Sequence, residues 1–172
     1  MTNLAWLSDF RPPADAVEAL ERGLEYARFE EHWTQSALFR PGPNAQYDGH
    51  GVFIAAEDNA AVCTNVRACA MGILVIACLD GPAVRQFFTH EGFHETQELR
   101  KNPVAMEATI HLARGFGAKF HTEDLEDHKD EFHYALSNVE DRNDWEETQH
   151  LDIVQGFEKS VEIAKQAQET AT

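Results

Sequence analysis

His90-Glu91-Gly92-Phe93-His94 is the stretch of this sequence whose residue types and spacing match a known chemistry. On a helix, His90 and His94 lie one turn apart on the same face, where two imidazoles can bind one zinc ion. A glutamate between them, here Glu91, can act as general base toward a zinc-bound water. The motif therefore gives one function hypothesis, a zinc-dependent hydrolase with zinc as its cofactor.

Three features of the surrounding sequence weaken the zinc hypothesis. Gly92 lowers helix propensity inside the motif, and Glu95 places a charge directly after it. A catalytic zinc site also needs a third protein ligand, and the candidates Glu98, Glu107 and His111 do not stand at a diagnostic spacing. The sequence thus favours a protein without catalysis and without a cofactor, with the zinc hydrolase as the alternative.

The charge of the chain is strongly acidic, since thirty Asp and Glu against fourteen Lys and Arg give a formal net charge of −16. The imbalance is concentrated in residues 121–147, which carry eleven acidic and two basic residues, a net charge of −9. Such a surface repels nucleic-acid phosphates and attracts basic proteins or cations. Aromatic residues do not interleave with basic ones, as they do in many nucleic-acid-binding proteins. Composition therefore predicts no direct binding to nucleic acid.

The preferred function hypothesis is a strongly acidic interaction or accessory protein that binds a basic protein partner. The carboxylates predicted to face this partner are Glu123, Asp124, Glu126, Asp127, Asp130 and Glu131. Phe132 and Trp145 are the predicted apolar anchors beside them, because buried aromatic side chains supply much of the binding energy at protein interfaces. The alternative for the same charge is a solvated face that keeps the protein soluble.

The length of 172 residues predicts a single domain, residues 1–172, with residues 1–13 as an N-terminal arm. The longest charge-free apolar run, residues 68–79, is too short to span a bilayer, so no membrane association is expected. No secretory signal is visible at the start, which predicts a cytoplasmic location. The three cysteines, Cys63, Cys69 and Cys78, have apolar neighbours and are interpreted as small buried side chains rather than a disulfide framework. The oligomeric state does not follow from the sequence.

Hydrophobic spacing predicts a mainly α fold, a bundle of five or six helices around a buried central helix over residues 66–79. Asp15 and Glu18 form a capping box that opens the first helix, over 14–31. A small extended or hairpin element is predicted over 34–62, with short strands at 36–40 and 52–56 and a flexible loop at 41–51. The other predicted helices are 83–99, which carries the His-Glu motif, 103–114, 123–136 and 144–168.

Local signals place the ends of two of these helices. Asn65 is the expected N-cap of the central helix. Asp144 and Glu147 form a second capping box, which is expected to open the last helix. The residues predicted to face the core from that helix are Leu151, Val154, Phe157, Val161 and Ala164.

The order of several residues along the chain matches a known layout. Trp33-Thr34-Gln35 follows the first helix, and residues 69–74 (Cys-Ala-Met-Gly-Ile-Leu) lie in the buried one. Near the end come Ser137-Asn138, Asn143-Asp144, Thr148 and residues 154–157. In this layout the chain resembles a family of small helical domains of unknown function found in bacteria and their phages, with residues 83–136 as an expansion. The resemblance implies a helical fold and brings no activity, cofactor or catalytic residue.

Overall fold

The computed structural model describes residues 4–35, 38–42, 46–47, 53–54, 66–80, 82–84, 86, 95–119, 128–145 and 147–171, and the structural statements below concern these residues. The fold is mainly helical, as the sequence predicts, with a small antiparallel β component. The helices are α1 (Ala5–Ser8), α2 (Ala16–Ala27), α3 (Ala70–Cys78), α4 (Glu95–Arg100), α5 (Pro103–Gly115), α6 (His128–Asp144) and α7 (His150–Ala171). The strands are β1 (Phe39–Pro41), β2 (Gln46–Tyr47), β3 (Phe53–Ile54) and β4 (Val66–Ala68), and a 3₁₀ turn spans Glu30–His32.

The predicted capping box opens α2. The Asp15 side chain accepts a hydrogen bond from the backbone N–H of Glu18 at 2.9 Å. The Glu18 carboxylate in turn accepts from the backbone N–H of Ala14 at 2.8 Å. The helix ends at Ala27, earlier than the predicted residue 31, because the chain there tightens into the 3₁₀ turn.

The N-terminal arm packs onto α2 through Arg22, which is 6% exposed. Its guanidinium donates to the carbonyl of Arg11 at 2.7 Å and to the carboxylate of Glu18 at 2.7 Å. The rings of Trp6 and Phe10 lie 5.5 and 5.9 Å from the guanidinium carbon. A buried cation with a carboxylate, a carbonyl and two aromatic rings around it is well compensated.

The small extended or hairpin element predicted over residues 34–62 is confirmed, because β2 and β3 pair antiparallel within it. β1 is antiparallel to β4, with Arg40 opposite Arg67, so the strand of 36–40 pairs with residues beyond the predicted element. β2 is antiparallel to β3. Because β2 falls within residues 41–51, the loop predicted there is corrected: part of it is strand.

The central helix begins at Ala70, which corrects the predicted range 66–79. Residues 66–68 alternate buried, exposed and buried, the period of two that suits a strand, and they pair with β1. Cys69 takes the N-cap position predicted for Asn65, and its Sγ accepts from the backbone N–H of Gly72 at 3.5 Å. All nine residues of α3 are buried, and the helix contacts α2, α5 and α6. The prediction of a central buried helix is confirmed.

The helix predicted over residues 103–114 is α5, which begins at Pro103 after the N-cap Asn102 and ends at Gly115. The helix predicted over 83–99 is helical at residues 82–84 and 86 and again in α4. Its central part, with the His-Glu motif, lies outside the described residues.

Helix α6 runs to Asp144, eight residues beyond the end predicted at residue 136. The buried positions Phe132, Leu136, Val139 and Asn143 recur at helical spacing and continue the core-facing stripe through this extension. The predicted start at residue 123 lies outside the described residues.

Helix α7 begins at His150, so the predicted start at Asp144 is wrong. The capping interaction occurs one turn later, where the Asp152 carboxylate accepts from the backbone N–H of Gln149 at 2.8 Å. Leu151 does not face the core as predicted, since it is 62% exposed. Phe157, together with Val161 and Ala164, is buried as expected, and α7 packs on α5 and α2.

Candidate functional site

The His-Glu motif of residues 90–94 lies outside the described residues, and so does its candidate base Glu91. The three candidate third ligands are described. The Glu98 carboxylate accepts from the Lys101 ammonium at 2.5 Å. Glu107 is largely exposed and lies 3.7 Å from Nε2 of the buried His111 on the next turn of α5. Among the residues that the structure describes, no three His, Cys, Asp or Glu side chains are grouped closely enough to hold a metal ion.

The predicted acidic surface is described only in part. Glu123, Asp124, Glu126 and Asp127 lie outside the described residues. The backbones of Asp130 and Glu131 are helical and belong to α6.

Phe132, predicted as a surface anchor, is 0% exposed and belongs to the core. The Arg100 guanidinium carbon lies 5.9 Å from its ring centroid. The prediction that Phe132 contacts a partner is therefore corrected. Its place on the apolar stripe of α6 turns the ring toward the other helices rather than toward solvent.

Trp145 directly follows the end of α6, and its side chain is 55% exposed. The backbone there is fixed, because the carbonyl of Trp145 accepts from the Gln35 side chain at 2.7 Å. The guanidinium carbon of Arg142 lies 4.8 Å from the centroid of the indole ring. The ring is thus held in place while much of its surface stays in solvent.

Two further large apolar side chains are exposed near Trp145 in sequence, Tyr134 at 52% and Leu151 at 62%. Tyr134, Asn138, Asp141 and Trp145 follow one another at spacings of four, three and four residues, which places them on one side of α6. Residues 134–152 contain six acidic residues and one Arg or Lys. We call Tyr134, Asp141, Trp145 and Leu151, with the exposed carboxylates of Glu147 and Asp152, the α6–α7 surface.

A buried asparagine anchors the α6–α7 surface to the central helix. Asn143 is 0% exposed. Its Oδ1 accepts from the Trp33 indole N–H at 3.2 Å and from the backbone N–H of Ala70 at 3.0 Å, at the start of α3. Thr148 donates to the carbonyl of Arg142 at 2.7 Å and closes the turn that follows. Sequence reasoning missed this role, although a polar residue on the apolar stripe of a helix was its visible signal.

Two grooves adjoin the α6–α7 surface where α5 ends. Gly117 has φ +89°, a conformation that favours glycine, and the backbone N–H of Ala118 bonds to the carbonyl of Ala113 at 3.0 Å. This turn places Phe116 against Gly156 of α7, so close that a Cβ on the glycine would overlap the ring. Phe116 therefore divides the surface into two depressions.

The aromatic groove has a volume of about 360 Å³ and lies between the end of α5 and α6. The residues that line it include Phe116, Asn138, Asp141, Arg142 and Trp145. The basic groove has a volume of about 350 Å³ and lies between the end of α5 and α7. The residues that line it include Arg114, Phe116, Arg142, Asp152, Gln155 and Lys159.

The clearest pKa perturbations lie in other parts of the fold. Hydrogen bonds from the Ala14 backbone and from Arg11 and Arg22 lower the pKa of Glu18 to about 2. Burial raises the pKa of the Cys78 thiol to about 12, which keeps this cysteine protonated and unreactive. Both groups are explained by packing and ion pairing, so neither marks a catalytic centre.

The comparisons with protein-family models, curated proteins and solved structures found no match. The family resemblance seen in the sequence therefore stays a prediction. Among the described residues, no helix combines the length and apolar character needed to cross a membrane.

Proposed function

We propose that this chain is a non-catalytic, acidic interaction protein and that a basic protein partner binds its α6–α7 surface. One observation carries the proposal. The large apolar side chains that are exposed in the described chain, Tyr134, Trp145 and Leu151, all fall between residues 134 and 151. This is also a region of strong negative charge.

The chemistry of the surface suits a protein partner of opposite charge. Trp and Tyr are the residue types most enriched among interface positions that dominate binding energy. The carboxylates of Asp141, Glu147 and Asp152 are also exposed and fall in the same stretch of the chain. Exposed carboxylates near an interface accelerate encounter with a basic partner and disfavour acidic ones.

The backbone of the surface is fixed before any partner arrives. Asn143, Thr148 and Gln35 bond the end of α6 and the following turn to neighbouring elements. His150 adds a contact between its Nε2 and the Ala27 carbonyl at 2.5 Å. A preformed surface loses less conformational entropy on binding.

The proposal is tested by photocrosslinking in cells of the source organism. A photoreactive residue replaces Tyr134 or Leu151 in two variants and the exposed Glu162 of α7 in a control variant. We expect one basic protein to be captured from positions 134 and 151 and not from 162. Capture of the same proteins from all three positions, or of acidic proteins only, would contradict the proposal.

The captured partner then allows a direct affinity measurement. Trp145→Ala should weaken its binding about tenfold or more, as expected for a central aromatic anchor. Glu162→Ala, which removes an acidic group outside the surface, should leave the affinity within about twofold. Equal effects of both substitutions would refute the role of Trp145.

A further inference from the structure

The two grooves lie side by side at Phe116 and have two different chemistries. They share Phe116, Gly117 and Arg142. Each volume, about 360 and about 350 Å³, falls within the range of small-molecule binding pockets. A ligand that fills both would present one chemical group to each side of Phe116.

The basic groove has the composition of an anion site. Arg114, Arg142 and Lys159 line it with a single carboxylate, Asp152, although acids outnumber bases two to one in the whole chain. Asp152 already accepts a hydrogen bond from the backbone N–H of Gln149. Within the described part of the chain, Arg142 and Lys159 form no ion pair.

Among the three cations of the basic groove, Lys159 is the one whose position helix stabilisation does not explain. Arg114 and Arg142 lie in the last turns of α5 and α6, where the helix dipole itself favours positive charge. Lys159 lies in the middle of α7 and has no such local reason. Three cations from three helices thus converge on one groove, which suits a phosphate group.

The aromatic groove has the composition of a site for a planar, polar ring. Trp145 and Phe116 supply aromatic surface, and bases stack favourably on such side chains. Asn138 and Asp141 supply polar atoms at the same groove. Because a carboxylate only accepts hydrogen bonds, Asp141 selects a ring edge that donates them, as guanine does through its ring N–H and amino group.

We propose that the two adjoining grooves together bind a nucleoside monophosphate, with the base in the aromatic groove and the phosphate in the basic groove. This ligand site goes beyond the proposed partner binding, and it is measured on the isolated protein. Failure to bind nucleotide would therefore leave the partner proposal standing, and the reverse is also true.

The test is isothermal titration calorimetry, which measures the Kd of GMP and of inorganic phosphate as the reference ligand. We expect GMP to bind at least about tenfold more tightly than phosphate, because only GMP occupies both grooves. Lys159→Ala should weaken GMP binding about tenfold. Lys165→Ala removes the same charge from an exposed position of α7 that pairs with Glu21, and it should change GMP affinity less than twofold.

The Asp141→Asn variant distinguishes hydrogen bonding to the base from simple charge repulsion of the phosphate. Removing a negative charge near a phosphate should strengthen binding if charge alone matters. The proposal instead expects about tenfold weaker GMP binding, with phosphate binding retained as evidence that the variant is folded. GMP binding no tighter than that of phosphate, a stronger GMP complex with Asp141→Asn, or equal effects of Lys159→Ala and Lys165→Ala would overturn the assignment.

Discussion

Asn143→Ala is the substitution whose effect follows most directly from the fold. The asparagine side chain accepts a buried hydrogen bond from the Ala70 backbone N–H and a half-buried one from the Trp33 indole. Alanine leaves both donors unpaired, and no residue in the first turn of α3 is exposed to water. An orphaned buried donor costs about 1 to 3 kcal/mol and the half-buried indole adds a smaller cost, so both losses together should lower the free energy of unfolding by about 3 kcal/mol.

For a domain of this size, a loss of about 3 kcal/mol lowers Tm by roughly 6 to 12 °C. Thermal and urea unfolding followed by circular dichroism measure both quantities. Asn138→Ala is the matched control, since Asn138 lies on the same helix, is only half-buried and donates to the Tyr134 carbonyl. Its unfolding free energy should change by less than about 0.5 kcal/mol, because alanine also has the higher helix propensity.

Trp33→Phe is a second test of the hydrogen bonds that Asn143 accepts. It removes the indole N–H together with part of the ring system, so its cost combines the lost hydrogen bond with lost packing. In the double variant the two losses should fall short of additivity by about 1 kcal/mol, since both single changes remove one shared bond. A Tm of Asn143→Ala within about 2 °C of the unsubstituted protein would refute the reasoning that this side chain caps α3.

Three further predictions concern other parts of the molecule. Glu18→Gln should lower the unfolding free energy by about 1 to 2 kcal/mol at neutral pH; because the folded pKa of Glu18 is lowered to about 2 from 4.5, this difference should vanish as the pH of urea unfolding falls from 4.5 toward 2. Gly115→Ala should cost more than about 2 kcal/mol, because its Cβ would overlap Ser160 and the Gly156 carbonyl on α7, and a cost below about 0.5 kcal/mol in urea unfolding would contradict this packing. Elemental analysis of untagged protein tests the zinc alternative: the preferred hypothesis expects less than about a tenth of an equivalent of zinc, whereas one equivalent that is lost in His94→Ala would establish the metal site.

Helices whose signals are local could be predicted from the sequence. Asp15 and Glu18 mark the start of α2 because a capping interaction depends only on residues three positions apart. The same holds for Asn102, whose side chain accepts from the Ala105 backbone at 3.2 Å and opens α5. The central position of α3 followed from a run of apolar residues with no polar face.

Features that depend on distant partners could not be predicted. Val66 and Ala68 have apolar side chains that suit either a helix or a strand, and pairing with β1 decides for a strand. The end of α6 was predicted too early, at residue 136. In the fold, Asn138 bonds back to the carbonyl one turn earlier, and the helix continues.

The partner-binding carboxylates predicted from the sequence fall in residues 123–131, most of which lie outside the described residues. Of the two predicted apolar anchors, Trp145 is exposed and Phe132 belongs to the core. The basic groove combines Arg114, Arg142 and Lys159 from three helices. No local spacing links these residues, so only the packing of α5, α6 and α7 reveals that they share a groove.

The central claim, that a basic protein binds the α6–α7 surface, is tested most directly by the salt dependence of that binding. The measurement is the Kd of the protein captured from positions 134 and 151, determined at low and at physiological ionic strength. We expect the affinity to fall about tenfold or more as salt is raised, because exposed carboxylates attract the partner through screened charge interactions. A Kd that does not change with salt would contradict the claim.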